Sequence, residues 1–380
     1  TISRSGAFRS VEAYRTHPGL IPYSVNSPLW SDGAFKERHI GLPNDQPISF
    51  SEGSWTFPEG TVLVKTFSLE MEPGRPASRK RIETRFLTLQ ENEWIGYSYE
   101  WNEAETDARL VDSGGKTREF EIRGPGGVRK QTWAYPSRSD CMVCHSRAAN
   151  FVLGVTTMQM NRDLQLEEIE GLGLFKVNLL DHVREAESAW TAIGDVRRSE
   201  KRKSPEVPKA LRDRLDPQLF GFAGLDPVEN ALQLAWLLGR HDAERALGKD
   251  PQFTTRLPRR PARMPHLVDP ADGTAPLEDR ARSYLHANCA QCHVEAGGGN
   301  SAFDVHVTTA RPQMKVVDVR PIHDTLEIAE PRLVAPGDPS RSILFQRISR
   351  RGQGQMPPLA SSIVDERSVE MLREWITSLR

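Results

Sequence analysis

What this chain has little of narrows it first. Only four of its 380 residues are cysteine. No apolar run approaches the roughly 20 residues that a membrane-spanning helix needs. Neither sign of charge is in excess: 50 Lys and Arg stand against 51 Asp and Glu, for a net charge of −1. That balance argues against nucleic acid or an acidic membrane surface as a partner. The sequence shows no internal repeat beyond one short motif that occurs twice. It opens at Thr1-Ile-Ser-Arg4 with neither a methionine nor a signal-like apolar segment, as expected of a processed product. A chain of this length should divide into two or three domains rather than build one core.

The four cysteines are all spent on that motif: Cys141-Met-Val-Cys144-His145 and Cys289-Ala-Gln-Cys292-His293. Two cysteines separated by two residues and followed at once by histidine form the attachment pattern of c-type haem. The thiols add across the haem vinyl groups, and the histidine is held under the iron. Other uses of the cysteines fit less well. One zinc ion held by four thiolates would leave both histidines surplus. A thioredoxin-like pair is expected once, between a strand and a helix. A disulfide across two residues closes too short a loop to stabilise much. With every thiol committed, cysteine-hydrolase chemistry has no support, and serine-hydrolase chemistry has none either. The expected cofactors are two covalently bound haem c groups, attached at Cys141, Cys144, Cys289 and Cys292. The expected proximal ligands are His145 and His293.

The organisation around the motifs is uneven. Up to about residue 135 the pattern is β-rich, with alternation over Thr61–Phe67, Arg81–Leu89 and Trp94–Trp101. Shorter strands are expected at Glu119–Ile122 and Val128–Tyr135. Such spacing predicts an antiparallel meander or sandwich. From Leu164 to about Leu247 the character turns helical. Asp226–Gly239 has a plausible start and stop, and the basic run Arg197–Lys203 reads most simply as a solvated face. Residues 251–275 are proline-rich and read as a linker. Beyond Pro276, Leu277, Ala281, Tyr284, Leu285 and Asn288 share one helical face leading into Cys289. Near the end, Asp365 can cap a helix whose Val369, Leu372, Ile376 and Leu379 form one stripe. The expected division is 1–162, a β-rich haem domain; 163–274, a helical connector and linker; and 275–380, a helical haem domain.

Ala281-Arg-Ser-Tyr-Leu-His-Ala-Asn-Cys-Ala-Gln-Cys-His293, Pro336–Phe345 and Gln355-Met-Pro-Pro358 together make residues 275–380 resemble class I cytochromes c. The resemblance implies an all-α domain whose distal methionine is Met356. Two following prolines suit a ligand on a stiff extended loop, because each fixes φ and neither can join a helix. A thioether in the sixth position raises the reduction potential. Met314, His286, His306 and His323 are the fallback ligands.

Phe57-Pro-Glu-Gly-Thr-Val-Leu-Val-Lys-Thr-Phe67 and Asp140–Leu153 make the β-rich domain resemble the cytochrome P-460 and cytochrome c′-β group. That group carries haem at the end of an antiparallel sheet, usually with an open distal face for small nitrogen oxides. Its P-460 members cross-link a lysine to the haem and oxidise hydroxylamine. The motif's lysine falls on Lys65, which alternation places on one face with Leu63 and Phe67. A lysine among apolar neighbours marks a site, or else an edge residue that reaches out to water. Where P-460 proteins carry an acidic distal residue, this chain has Ser146 and Arg147. That departure weighs against hydroxylamine oxidation and makes Arg147 a second candidate residue. Phe151 is a candidate wall of the site, and the region before Phe57, including Pro28–Arg38, has no counterpart in the group. The sixth ligand of this iron stays open among Met158, Met160, His39, His17, His182 and no ligand at all.

The resulting expectation is a multidomain α+β dihaem cytochrome of the bacterial periplasm, with a lipid anchor left open, that relays single electrons. Its redox partner would be another protein, for instance a periplasmic quinoprotein dehydrogenase, with a small molecule also able to bind at the first haem. The alternative is an oxidoreductase acting on hydroxylamine, nitric oxide or peroxide at that haem. A dihaem peroxidase fits less well because both of its domains are helical, and a gas sensor has no signalling cue in the linker.

Overall fold

The computed structural model describes residues 1–43, 46–51, 53–162, 165, 166, 169, 172, 175–177, 261 and 264–380. The body of the expected helical middle segment, including Asp226–Gly239, Arg197–Lys203 and His182, lies outside the described residues. So do residues 251–260, 262 and 263 of the expected linker.

The N-terminal half is an antiparallel β-rich region. Its centre is a six-stranded sheet ordered β3 (Leu20–Pro22), β4 (Phe35–Gly41), β6 (Val62–Glu70), β7 (Arg79–Gln90), β8 (Glu93–Trp101) and β9 (Ala108–Leu110). The three strands read from alternation are β6, β7 and β8, each found slightly longer than expected. β10 (Lys116–Gly124) and β11 (Gly127–Tyr135) form a separate hairpin. Sequence reading missed one parallel pair, β5 (Ile48–Phe50) with β12 (Phe175–Val177). Three-residue strands carry too little periodicity to be seen. β1 (Phe8–Ser10) and β2 (Arg15–Thr16) make a small ribbon at the N-terminus.

The sheet has two different faces. One carries Val64, Phe86 and Trp101 against Ile2, Phe8 and Val11. Here the Thr66 and Thr84 hydroxyls share a 2.8 Å hydrogen bond, and the Trp101 indole donates to Thr84 at 2.9 Å. The other face is apolar at both ends. Ile40, Leu63 and Leu87 pack with Trp55 and Phe57 at one end, and Phe67 with Trp133 at the other. Between those ends the register places Arg38 opposite Lys65 and Lys65 opposite Arg85. A row of cations therefore crosses three strands.

The C-terminal region contains three helices: α3 (Leu277–Cys289), α4 (Ile343–Ile348) and α5 (Glu366–Ser378). Asp365 caps α5 as expected, its side chain accepting from the Ser368 N–H. Leu285, Leu372, Trp375 and Ile376 are fully buried between α3 and α5. Each such side chain contributes about 1.5–3 kcal/mol of burial. The indole of Trp375 donates to Glu278 at 2.6 Å, tying the two helices at their polar edge.

The two regions meet through Ser27–Asp32, inside the segment for which the sequence offered no counterpart. Ser27 Oγ donates to the Ser283 carbonyl at 2.9 Å, and the Trp30 N–H to Asn288 Oδ1 at 2.7 Å. Trp30 Nε1 donates to the Ile363 carbonyl at 2.9 Å. The Asp32 carboxylate accepts from the Ser362 and Ile363 N–H groups at 2.9 and 3.0 Å and from the Ser362 hydroxyl at 2.8 Å. Met264 and Leu267, at the end of the stretch read as a linker, are buried, and the Leu267 N–H donates to the Met158 carbonyl. Among the described residues no helix is long and apolar enough to cross a membrane.

Candidate functional site

The first cysteine motif lies on α1 (Arg138–Cys144), whose start is fixed by sequence. Ser137 and Asp140 form a reciprocal capping box. The helix lies over β8 at Gly96, where a Cβ would stand 2.8 Å from Cys141 Sγ and 2.9 Å from its Cβ. Glycine is therefore required for the close approach of helix to sheet. Gly96→Ala should cost about 1–3 kcal/mol through overpacking, read from the urea midpoint. An unchanged midpoint would mean that α1 does not rest on β8.

The His145 ring ends the helix with Nδ1 at 2.5 Å from the Phe151 carbonyl. A hydrogen bond there puts the proton on Nδ1 and leaves the Nε2 lone pair free for a metal. Burial, helped by the Lys65 and Arg85 charges, pulls His145 down to about 4 against the opposing pull of the Phe151 carbonyl. The ring is thus neutral, as a ligand must be. Phe151 joins the site through its backbone, where an apolar wall was expected from its side chain.

Lys65 lies near His145, in the cation row. Leu63 and Phe67 flank it along the strand as expected, and its ammonium stands 4.9 Å from the Phe67 ring centroid. Across the strands its neighbours are Arg38 and Arg85, which sequence alternation alone could not pair with it. Burial, then the charges of Arg38, Lys36 and Arg85, hold its pKa well below the usual lysine value. Glu83 is the carboxylate in reach, and it is engaged by Arg85 at 2.7 Å. Among the described residues Lys65 forms no ion pair. Arg147 is exposed and also makes no ion pair among the described residues; its carbonyl accepts from the Asn150 N–H.

Lys36 extends the cationic region, its ammonium donating to the Leu29 carbonyl at 2.8 Å. Burial, reinforced by Arg38 and Arg85, lowers it from 10.5 to about 7. Between these values the unfolded chain binds a proton here that the folded chain does not. This group's contribution to stability therefore rises with pH across that window and is lost as pH falls to about 7. Lys36→Met should raise the urea midpoint at pH 7 and leave a smaller difference at pH 10. Equal differences at both values would contradict the assignment.

The second motif closes α3, and its cysteines line a cavity of about 360 Å³ together with His293, Phe303, Leu344 and Ile348. Met356, Pro357 and Pro358 line the same cavity. The methionine loop is held from within. Gln355 Nε2 donates to the Pro357 and Ser361 carbonyls at 2.9 and 3.1 Å, and the Met356 N–H donates to the Arg347 carbonyl at 3.0 Å. His293 stacks on Phe303 with centroids 4.2 Å apart. Its Nδ1 lies under Gly299, where a Cβ would stand 2.6 Å away. That nitrogen is buried without a well-formed hydrogen bond, although the nearby Ser301 backbone offsets part of the burial that lowers the ring's pKa.

The fallback ligands are placed less well. Met314 is fully buried in the core, and His323 lines the cavity with Nε2 at 2.8 Å from the Asn300 carbonyl. His286 and His306 pack edge to face at 4.5 Å in another cavity of about 420 Å³, which Met158 also lines. Met160 is in the core, His39 sits one residue out of phase with the cation row on β4, and exposed His17 accepts from Gly19. Among the described residues none of these side chains hydrogen-bonds His145, whose partner is the Phe151 carbonyl.

Compared with known proteins, the chain matches no family model, no curated protein and no solved structure.

The residues themselves therefore carry the case. Among the described residues no group of three or more His, Cys, Asp or Glu is arranged to hold a metal ion, which weighs against zinc. All four thiols are free. Each motif presents two thiols and a histidine, the first with Nε2 left open and the second beside an apolar cavity with a thioether on its wall. That donor set fits covalent haem.

Proposed function

We propose that the protein is a periplasmic dihaem c-type cytochrome that transfers single electrons to or from a partner protein. The observation that carries this reading is the cavity shared by Cys289, Cys292, His293 and Met356. It supplies two attachment thiols and two axial donors of the kind a class I cytochrome c uses. Haem, when bound, supplies reversible one-electron chemistry at iron. The chain's own residues do the rest. Cys141 and Cys144, with Cys289 and Cys292, anchor the two groups. His145 and His293 would each hold an iron, and Met356 would be a further donor at the second site. A periplasmic quinoprotein dehydrogenase is a donor of suitable chemistry. Mass spectrometry of the purified protein should show two covalent haems, and alkaline pyridine spectra should be of the c type. A mass without added haem would overturn the reading.

One observation favours a second role at the first haem. Lys65, Arg38 and Arg85 crowd one sheet face, and the Lys65 and Arg85 charges act on His145. An open iron next to cations suits a small anionic or polar ligand, in the manner of the P-460 and c′-β group. Carbon monoxide or nitric oxide binding to one of the two haems supports this role. Two low-spin haems indifferent to both gases exclude it.

A further inference from the structure

We propose that Cys144 and Cys292 form one junction between the two attachment motifs, anchoring the two groups side by side so that electrons pass between them within one molecule. The proposal rests on the two-haem reading above.

The motifs are far apart in sequence, yet Val143 and Cys144 of the first line the cavity that holds Cys289, Cys292, His293 and Met356 of the second. The Cys292 sulfur lies 4.0 Å from the Val143 carbonyl. The Cys144 and Cys292 side chains face each other closely enough to interact across this wall. Each of these cysteines is the one next to its ligating histidine, so the junction lies close to both metal positions in sequence.

The seam around this junction is built to stay in register. Asp32 is buried, with a left-handed φ of 51° that strains a non-glycine residue. Its hydrogen bonds to Ser361, Ser362 and Ile363 offset that cost. Charge-assisted bonds of this kind are stronger than neutral ones. They also vanish if the two regions slide, because the donors are backbone N–H and hydroxyl groups of the other region. Trp30 and Ser27 add three directional bonds to α3 and the methionine loop. In the transfer, one electron leaves a ferrous centre, which becomes ferric, and enters the other ferric centre, which becomes ferrous. No bond or proton changes place.

The test uses the full-length protein carrying both haems, counted by mass. Electron paramagnetic resonance of the fully oxidised protein should show two ferric centres that broaden each other's signals. Stepwise reduction should sharpen the remaining signal. Asp32→Ala should weaken this interaction while leaving the haem count and the optical spectra unchanged. Trp30→Phe, which removes a single indole N–H bond, serves where Asp32→Ala does not fold. Independent signals in a protein of two-haem mass would overturn the junction. A mass with fewer than two haems would overturn the two-haem reading instead. In that case the junction is read by oxidising the full chain with diamide, which takes two electrons and two protons from a thiol pair. A Cys144–Cys292 disulfide then supports the proposal, and exclusive pairing within each motif overturns it.

Discussion

Glu83→Ala will destabilise the protein by about 3–5 kcal/mol, the usual cost of removing one partner from a buried ion pair. Glu83 is fully buried, and its carboxylate organises three elements. Arg85 donates to it through Nε at 2.7 Å and Nη2 at 2.9 Å. Ser98 Oγ on β8 donates at 2.5 Å, and Trp133 Nε1 on the hairpin donates at 2.9 Å. Alanine would leave a half-buried guanidinium beside Lys65 and Arg38 with no counter-charge, and an indole N–H without its acceptor. The loss has two parts that can be separated. Glu83→Gln keeps an acceptor for Ser98 and Trp133 but removes the charge, so its cost measures the neutralisation of the row. Urea unfolding of the two variants gives both values. If alanine and glutamine cost the same, the hydrogen bonds to Ser98 and Trp133 contribute little. If neither shifts the midpoint, the row is neutralised by something other than Glu83.

This carboxylate also shows where reading the sequence stops. Alternation found β6, β7 and β8 because their buried ends are apolar at every second position. It placed Lys65 on the right face. It had no means of showing that Arg38 and Arg85 stand across from it, because cross-strand register depends on turn lengths and on a bulge near Phe67. Glu83 shares strand parity with Arg85, which is the one signal that could have paired them. The helical ends of the C-terminal region were legible for a simpler reason. α3 and α5 each bury one continuous stripe, and Asp365 announces its cap. The seam was not legible at all. Ser27–Asp32 has no periodicity, and a carboxylate satisfied by distant backbone N–H groups leaves no pattern in its own neighbourhood. The pentapeptides marked both sets of candidate donors, but nothing in them revealed that the two sets share a wall. Contacts between regions distant in sequence depend on the finished tertiary structure, and local propensity carries no trace of them.

If residues 275–380 carry haem as proposed, Met356→Ala should leave that haem high-spin when oxidised and able to bind carbon monoxide when reduced, where the unaltered protein is six-coordinate and low-spin. The argument is geometric. Met356 is only half-buried and packs on the edge of the core, so its loss leaves α3 and α5 intact. The loop itself remains stapled, because Gln355 and Arg347 hold its backbone and neither bond involves the thioether. His323, also on the cavity wall, has its Nε2 engaged by the Asn300 carbonyl and is not free to take the methionine's place. The sixth position is then left to water or added gas. Because a thioether raises the potential relative to nitrogen or oxygen donors, the midpoint of this centre should fall. A shift of roughly 100 mV would sit well inside the about 0.8 V range that axial ligation spans. Met356→His should restore a low-spin spectrum at a potential below that of the unaltered protein, since the same loop would then present imidazole to the same face. The first haem provides an internal control: its spectrum should not move with either change. An alanine variant that stays low-spin and ignores carbon monoxide would remove Met356 from the iron. The ligand would then have to be sought among the side chains that turn toward this cavity only when haem fills it.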